Sequence, residues 1–340
     1  MRRLKILATA LLVSASGVRA DVPNVVVDIP PVFSLVSSVM QGVGTPKLLL
    51  RGNESPHNFA LRPSQRRDLG QADIIFWIGE GLTPWLEKAQ ASLTQTPVSV
   101  ALGEQTGVVQ LSFREGAFFE NHDDHDDHDG RGEVNGHTEH NRAETHENAA
   151  AHDGKDHQDH AGHDHAGLDP HFWLDPENAI HWIYTIADIL SQKDPENAGA
   201  YYANATRTKA SLELLNKNIA QQLAPHRAER FLIVHDAFQY FEARFGLAAQ
   251  GAISDGHAAP SSAARILAIR KLMQDQKISC VFAEPGYNAK LLDNLISETS
   301  VRLKQLDPLG AGLPLDHTLY EAVLQNMADT MVACFTNNEG

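Results

Sequence analysis

The 340-residue chain carries 28 Lys and Arg against 43 Asp and Glu, a formal net charge of −15, and its hydrophobic share of 42% suits a globular protein with a real core. That length predicts about two domains of roughly 100–200 residues each. The acidic balance excludes nucleic acid as a partner, since phosphates require stripes of Lys and Arg, and it agrees with a cationic ligand.

Arg2, Arg3 and Lys5 precede a short apolar run from Ile6 to Val13, and small residues lead on to Val18-Arg19-Ala20. This is the pattern of a secretory signal peptide over residues 1–20, cleaved after Ala20. The run falls far short of the roughly 20 residues that span a bilayer, no other segment is long enough, and no cysteine near the cleavage point offers a lipid anchor. The mature chain is therefore expected outside the cytoplasm without membrane insertion. Loss of Arg2, Arg3, Lys5 and Arg19 takes its charge from −15 to −19.

Asn24 to Ile29 reads as a buried strand ended by Pro30-Pro31, and Val32 to Met40 as a helix closed by Gly42. Strands follow at Lys47–Leu50, Asp73–Ile78 and Val98–Val100, with helices from about Ser64 and over Trp85–Ala91. Such alternation predicts a parallel sheet flanked by helices. It stops near Glu120. From there to about Leu168 the chain is Asp, Glu, His, Gly and Asn with little apolar content. Between Glu120 and His165, fourteen acidic residues stand against three basic ones. This segment lacks the apolar surface to offset its ordering entropy and is expected to be disordered.

Periodicity resumes in a helix over Pro176–Gln192, and Asp194-Pro195-Glu196 opens a longer one reaching Leu223. The remainder reads as strand Phe231–Val234, helices Ala237–Phe245 and Ser261–Gln274, strand Ile278–Ala283, helix Ala289–Thr299, strand Arg302–Leu306 and helix His317–Phe335. The expected fold is α/β: two lobes, each a parallel sheet flanked by helices, joined by a long linking helix. The first lobe takes residues 21–194, with the low-complexity loop at about 120–168 inside it, the linking helix 195–224, and the second lobe 225–340.

His57 lies just after the Lys47–Leu50 strand, His235 directly follows Phe231–Val234, and Asp307 directly follows Arg302–Leu306. Open α/β sheets bind ligands beyond the carboxyl ends of their strands. With His171, in Asp169-Pro170-His171, these side chains make three imidazoles and one carboxylate, an ordinary tetrahedral zinc set. His181, His226 and His317 read as polar residues satisfied locally, and His257 as an exposed residue in a flexible stretch. The low-complexity loop holds eleven of the eighteen histidines: His122, His125, His128, His137, His140, His146, His152, His157, His160, His163 and His165. Its HDDHDDH stretch (122–128) has no rigid strand end to fix it, so weak metal binding is expected there rather than a catalytic di-metal site. Cys280 and Cys334 are too far apart for a CxxC site, and in an oxidising compartment they are read as a structural pair.

These residues resemble a known family. Gly52-Asn53-Glu54-Ser55-Pro56-His57 with Leu61-Arg62-Pro63-Ser64, Asp169-Pro170-His171-Phe172-Trp173-Leu174, and Val234-His235-Asp236-Ala237-Phe238-Gln239-Tyr240-Phe241 are similar to the three metal-ligand motifs of the metal-specific solute-binding proteins (cluster A-I) of bacterial ABC transporters. Ala283-Glu284-Pro285 and Leu306-Asp307-Pro308-Leu309-Gly310 match second-lobe signatures, and the acidic His-rich insertion resembles that of the zinc-specific, ZnuA-type branch. The resemblance runs from about Val25 to Phe335. It implies a periplasmic protein that captures Zn²⁺ between two lobes and delivers it to a membrane permease served by a separate ATPase, acting as a monomer and not as an enzyme. It also implies a Cys280–Cys334 disulfide, with His57 and His171 as ligands from the first lobe and His235 from the second. Where some zinc-binding members have an acidic residue before the first histidine, this chain has Pro56, which leaves Asp307, water and Glu54 as candidates for the fourth position. Two alternatives fit the residues less well. A zinc-dependent hydrolase needs an open coordination position and a general acid or base, and neither HExxH nor GxSxG occurs. A manganese-binding member would carry a carboxylate where this chain has His235.

Overall fold

Two four-stranded parallel sheets carry the architecture of the computed structural model, which describes residues 22–51, 54–114, 118–119, 167–254, 262–287, 289–297 and 299–336. The first sheet holds β1 (Val25–Val27), β2 (Lys47–Leu48), β3 (Ile74–Trp77) and β4 (Val98–Ala101) in the order β2-β1-β3-β4. The second repeats that order with β5 (Phe231–His235), β6 (Ala252–Ser254), β7 (Cys280–Ala283) and β8 (Arg302–Gln305), as β6-β5-β7-β8. In both sheets the chain leaves its first strand toward one edge and comes back on the other side. That reversal opens a crevice at the carboxyl ends of β1 and β3, and again at those of β5 and β7.

Side-chain alternation assigns the two faces of each central strand. Val25 and Val27 join the core between the sheets while Val26 joins a second cluster with Leu69 and Trp77 on the far face. In the other lobe Phe231 and Ile233 face inward, and Leu232 and Val234 pack outward with Ile269 and Leu292. Both faces are covered, which is why these strands read as continuous apolar runs.

Four helices of the first lobe, α1 (Pro30–Val39), α2 (Pro63–Gly70), α3 (Pro84–Gln90) and α4 (Pro176–Lys193), each begin on proline, whose missing N–H costs nothing in a first turn. Pro30-Pro31, expected to separate strand from helix, is thus the first residue pair of α1 itself. Asp175 caps α4 by accepting from Glu177 N at 2.9 Å. A 3₁₀ turn at Pro195–Asn197 then delays α5 (Ala198–Leu223), whose 26 residues rise about 39 Å. The second lobe adds α6 (Gln239–Phe245), α7 (Ala263–Asp275), α8 (Ala289–Ile296) and α9 (Leu319–Phe335). Helix α5 packs on α1, α4 and α9, and one continuous core runs from Val25 to Phe335. Tyr320 on α9 reaches the first lobe, donating its N–H to Ser34 Oγ on α1 at 3.0 Å and its hydroxyl to Trp173 O at 2.7 Å.

Cys280 and Cys334 form the expected disulfide, tying β7 to the end of α9. Strand β6 was not foreseen. Residues 1–20, His257 and the eleven histidines between His122 and His165 lie outside the described residues. The two ends of that insertion are paired: Ser112 and Leu168 form an antiparallel bridge, Phe113 N donates to Gly167 O at 2.9 Å, and Asp169 N donates to Leu111 O at 2.8 Å. Among the described residues no helix is long and apolar enough to cross a membrane.

Candidate metal centre

His57, His171 and His235 meet between the lobes. Ring centroids lie 5.5 Å apart for His57 and His171, 5.6 Å for His57 and His235, and 5.1 Å for His171 and His235. One nitrogen from each ring falls within 4.8 Å of the other two. A tetrahedral zinc with N–Zn bonds of 2.0–2.1 Å holds its nitrogens about 3.3 Å apart, so modest ring rotation closes the set.

Each histidine is aimed by its own local structure. His57 stands in the turn after β2, where Trp85 of α3 donates its indole N–H to Pro56 O at 2.7 Å and stacks near Phe59 with ring centroids 5.0 Å apart. His171 precedes the short 3₁₀ turn Phe172–Leu174 and is 2% exposed. Its Nδ1 meets Asp169 Oδ1 at 2.6 Å, and the same oxygen accepts the His171 backbone N–H at 3.0 Å. His235 is the last residue of β5, and its Nδ1 meets Glu284 Oε2 at 2.6 Å. Glu284 follows β7 directly, so this pair fills the crevice where the second sheet reverses direction. A carboxylate on Nδ1 fixes the ring and leaves Nε2 to act as a donor toward a cation, as in the carboxylate–histidine–zinc arrangement.

The electrostatics suit a divalent cation. Burial pushes the Asp169 carboxyl up to about 7, against the pull of the His171 N–H and the charges of Arg114 and His235. Burial also pushes the Glu284 carboxyl up, but the charge and hydrogen bond of His235, with the fields of His171 and His57, outweigh it and leave the group below its ordinary value. Three neutral imidazoles bring no charge to a bound Zn²⁺, so the carboxyls of Asp169 and Glu284, one bond behind His171 and His235, are placed to supply negative charge toward it.

Beside the histidines opens a cavity of about 370 Å³, walled in part by Trp173, Tyr287 and Asp307. Asp307 lines it but does not join the converging donors. Its carboxylate accepts the backbone N–H groups of Leu309 at 3.1 Å, Gly310 at 2.8 Å and Ala311 at 2.6 Å. That turn presents Pro308 O to the Trp173 indole at 2.8 Å, so Asp307 shapes the wall. Glu54 is likewise engaged, by Arg62 at 2.5 Å and by Arg51 N at 3.3 Å. The other described histidines lie apart from this cluster: His317 meets Gln41 at 3.2 Å, His226 lies against Phe335 with centroids 5.7 Å apart, and His181 borders Gly107 on the surface. Glu284 was visible in the sequence as a signature residue, yet its bond to His235 was not assigned. The usable signal was its place at the end of β7, beside the end of β5.

The chain has relatives of known sequence and structure. The model of the family "ZnuA: Zinc-uptake complex component A periplasmic" matches residues 25–334. The chain is 40% identical over 332 residues to the high-affinity zinc uptake system protein ZnuA of Brucella suis, covering 97% of each chain. It is 41% identical over 330 residues to that of Paracoccus denitrificans, again covering 97% of each. Among solved structures, a crystal structure of ZnuA superposes with a TM-score of 0.67 at 23% identity, covering 91% of this chain and 99% of the other. The Pseudomonas aeruginosa solute-binding protein FpvC in complex with Mn²⁺ gives 0.70 at 18%, covering 94% and 100%. At such identities the superpositions establish the two-sheet fold, while the match over residues 25–334 and the curated relatives place this chain in the ZnuA family of zinc-uptake components.

Proposed function

We propose that the chain captures Zn²⁺ in the periplasm, between lobes formed by residues 21–194 and 225–340 and linked by 195–224, and hands it to an ABC permease driven by a separate ATPase. His57, His171 and His235 are the ligands. The observation that carries this reading is the convergence of three imidazoles, two of them backed by carboxylates at 2.6 Å. Imidazole nitrogen favours zinc, whereas manganese favours hard oxygen donors, so His235 argues against the manganese alternative. The hydrolase alternative needs an acid or base free to act on a metal-bound water. Asp169 and Glu284, the carboxylates at the centre, are instead bound to ligand rings.

Two expectations test the reading. Asp169→Asn and Glu284→Gln each weaken zinc binding by roughly 10–100-fold, because the ring behind each is no longer held by a charged acceptor. Competition titration against a chelator measures this, and unchanged affinity in both would remove the carboxylates from the site. The histidines of the segment at about 120–168 are read as weaker, additional sites. Deleting residues 121–166 therefore leaves one tight zinc per chain and abolishes the low-affinity phase in calorimetry. Disappearance of the tight phase would instead place the principal site in that segment.

A further inference from the structure

Arg114 lies on the segment that leads into the His-rich insertion, two residues past the Ser112–Leu168 bridge, and it reaches across to the second lobe. Its Nε donates to both oxygens of Asp236 at 3.1 and 3.2 Å, and its Nη2 also donates to Asp236 Oδ1. Nη1 and Nη2 donate to Glu242 of α6 at 2.8 and 3.0 Å. The guanidinium sits 3.9 Å from the Phe119 ring centroid. Both carboxylate side chains are 3% exposed, so the pairing is desolvated and its removal leaves two buried carboxylates facing one another.

The location gives this clasp its meaning. Asp236 is the residue after His235. Asp169, at the insertion's returning end near Leu168, holds His171. Tyr240, between Asp236 and Glu242, ties the same elements together by donating to Asp169 O at 2.9 Å and accepting from Leu111 N at 2.9 Å. Arg114 therefore joins the first-lobe segment that presents His171 to the strand end that presents His235.

We propose that Arg114 is a positioning residue for zinc capture, holding the His235-bearing strand end at the separation from His171 that three-nitrogen coordination requires. This rests on the three histidines being the zinc site. A bidentate fork is what the geometry uses, so lysine, a point charge on a flexible stem, replaces it only partly.

The test compares the full mature chain as wild type, Arg114→Ala, Arg114→Lys and Arg244→Ala. Arg244 makes a separate ion pair between the lobes, to Asp175 at 2.7 Å through each of two nitrogens. Zinc affinity is read by chelator competition, and site geometry by the visible d–d absorption of bound Co²⁺. Expected are a loss of about tenfold or more in zinc affinity and altered Co²⁺ band positions or intensities for Arg114→Ala, with a smaller change of the same kind for Arg114→Lys. Arg244→Ala should lower the melting temperature and keep the wild-type Co²⁺ spectrum. Wild-type affinity and spectrum in Arg114→Ala, or equal spectral changes in Arg114→Ala and Arg244→Ala, would overturn the assignment. If Arg114→Ala does not fold, Arg114→Lys decides by the same two readouts. A His57→Ala control that keeps tight zinc binding indicates failure of the histidine site itself.

Discussion

Alanine at His57, His171 or His235 is expected to lower zinc affinity by about a hundredfold or more at each position. Protein zinc sites bind with roughly 10–16 kcal/mol, so one of three or four donors accounts for ~3 kcal/mol, and each 1.4 kcal/mol is a factor of ten. The three variants should differ in the metal-free state. His171→Ala leaves Asp169, which is 1% exposed, with the backbone N–H of residue 171 but without the ring it was bound to, and a buried carboxyl that loses a partner is costly. His235→Ala leaves Glu284 with a side chain 25% exposed, so water takes over part of the lost bond. His57 is only half-buried. The melting temperature without metal should therefore fall most for His171→Ala, while zinc affinity falls in all three. Calorimetry giving unchanged stoichiometry and affinity for all three variants would falsify the site.

The histidines were legible because parallel sheets concentrate function at strand ends, and apolar runs mark where strands stop. Phe231–Val234 is such a run, so His235 announced its own position. The same rule points equally to Asp307, which also follows a strand. A carboxylate there can cap the backbone of its own turn, as this one does over Leu309, Gly310 and Ala311, and nothing in the local sequence separates the two uses. Strand β6 escaped notice because three residues, Ala252–Ser254, are too few for an alternation to register. Its pairing with β5 creates it. Arg114 gave no signal either. Its partners lie 122 and 128 residues away, and its surroundings have no period to mark which face is buried. Helix starts were close to readable, since four helices begin on proline. Pro30-Pro31 breaks the strand but also starts α1, because proline's fixed φ suits a first turn.

Removing the disulfide by the paired substitution Cys280→Ser and Cys334→Ser is expected to cost about 4 kcal/mol of stability on the chain-entropy account. The two positions are 54 residues apart, a loop long enough for the bridge to restrict the unfolded chain substantially. In a protein of this size that loss corresponds to a fall of roughly 6 °C in melting temperature. Both cysteines are 0% exposed, so a reductant acts only on molecules that have already opened, and the double variant gives the cleaner measurement by scanning calorimetry. The bridge has more than local reach. It joins β7, which leads into Glu284, to α9, which packs on α1 and α5 in the continuous core. Its loss should therefore loosen the second sheet against the helical layer, while the three histidines, held by β2, the 171–175 turn and β5, still bind one zinc per folded chain. Wild-type melting in the double variant would show that α9 stays docked through its apolar face alone, Met327, Met331 and Phe335 sufficing without the covalent tie.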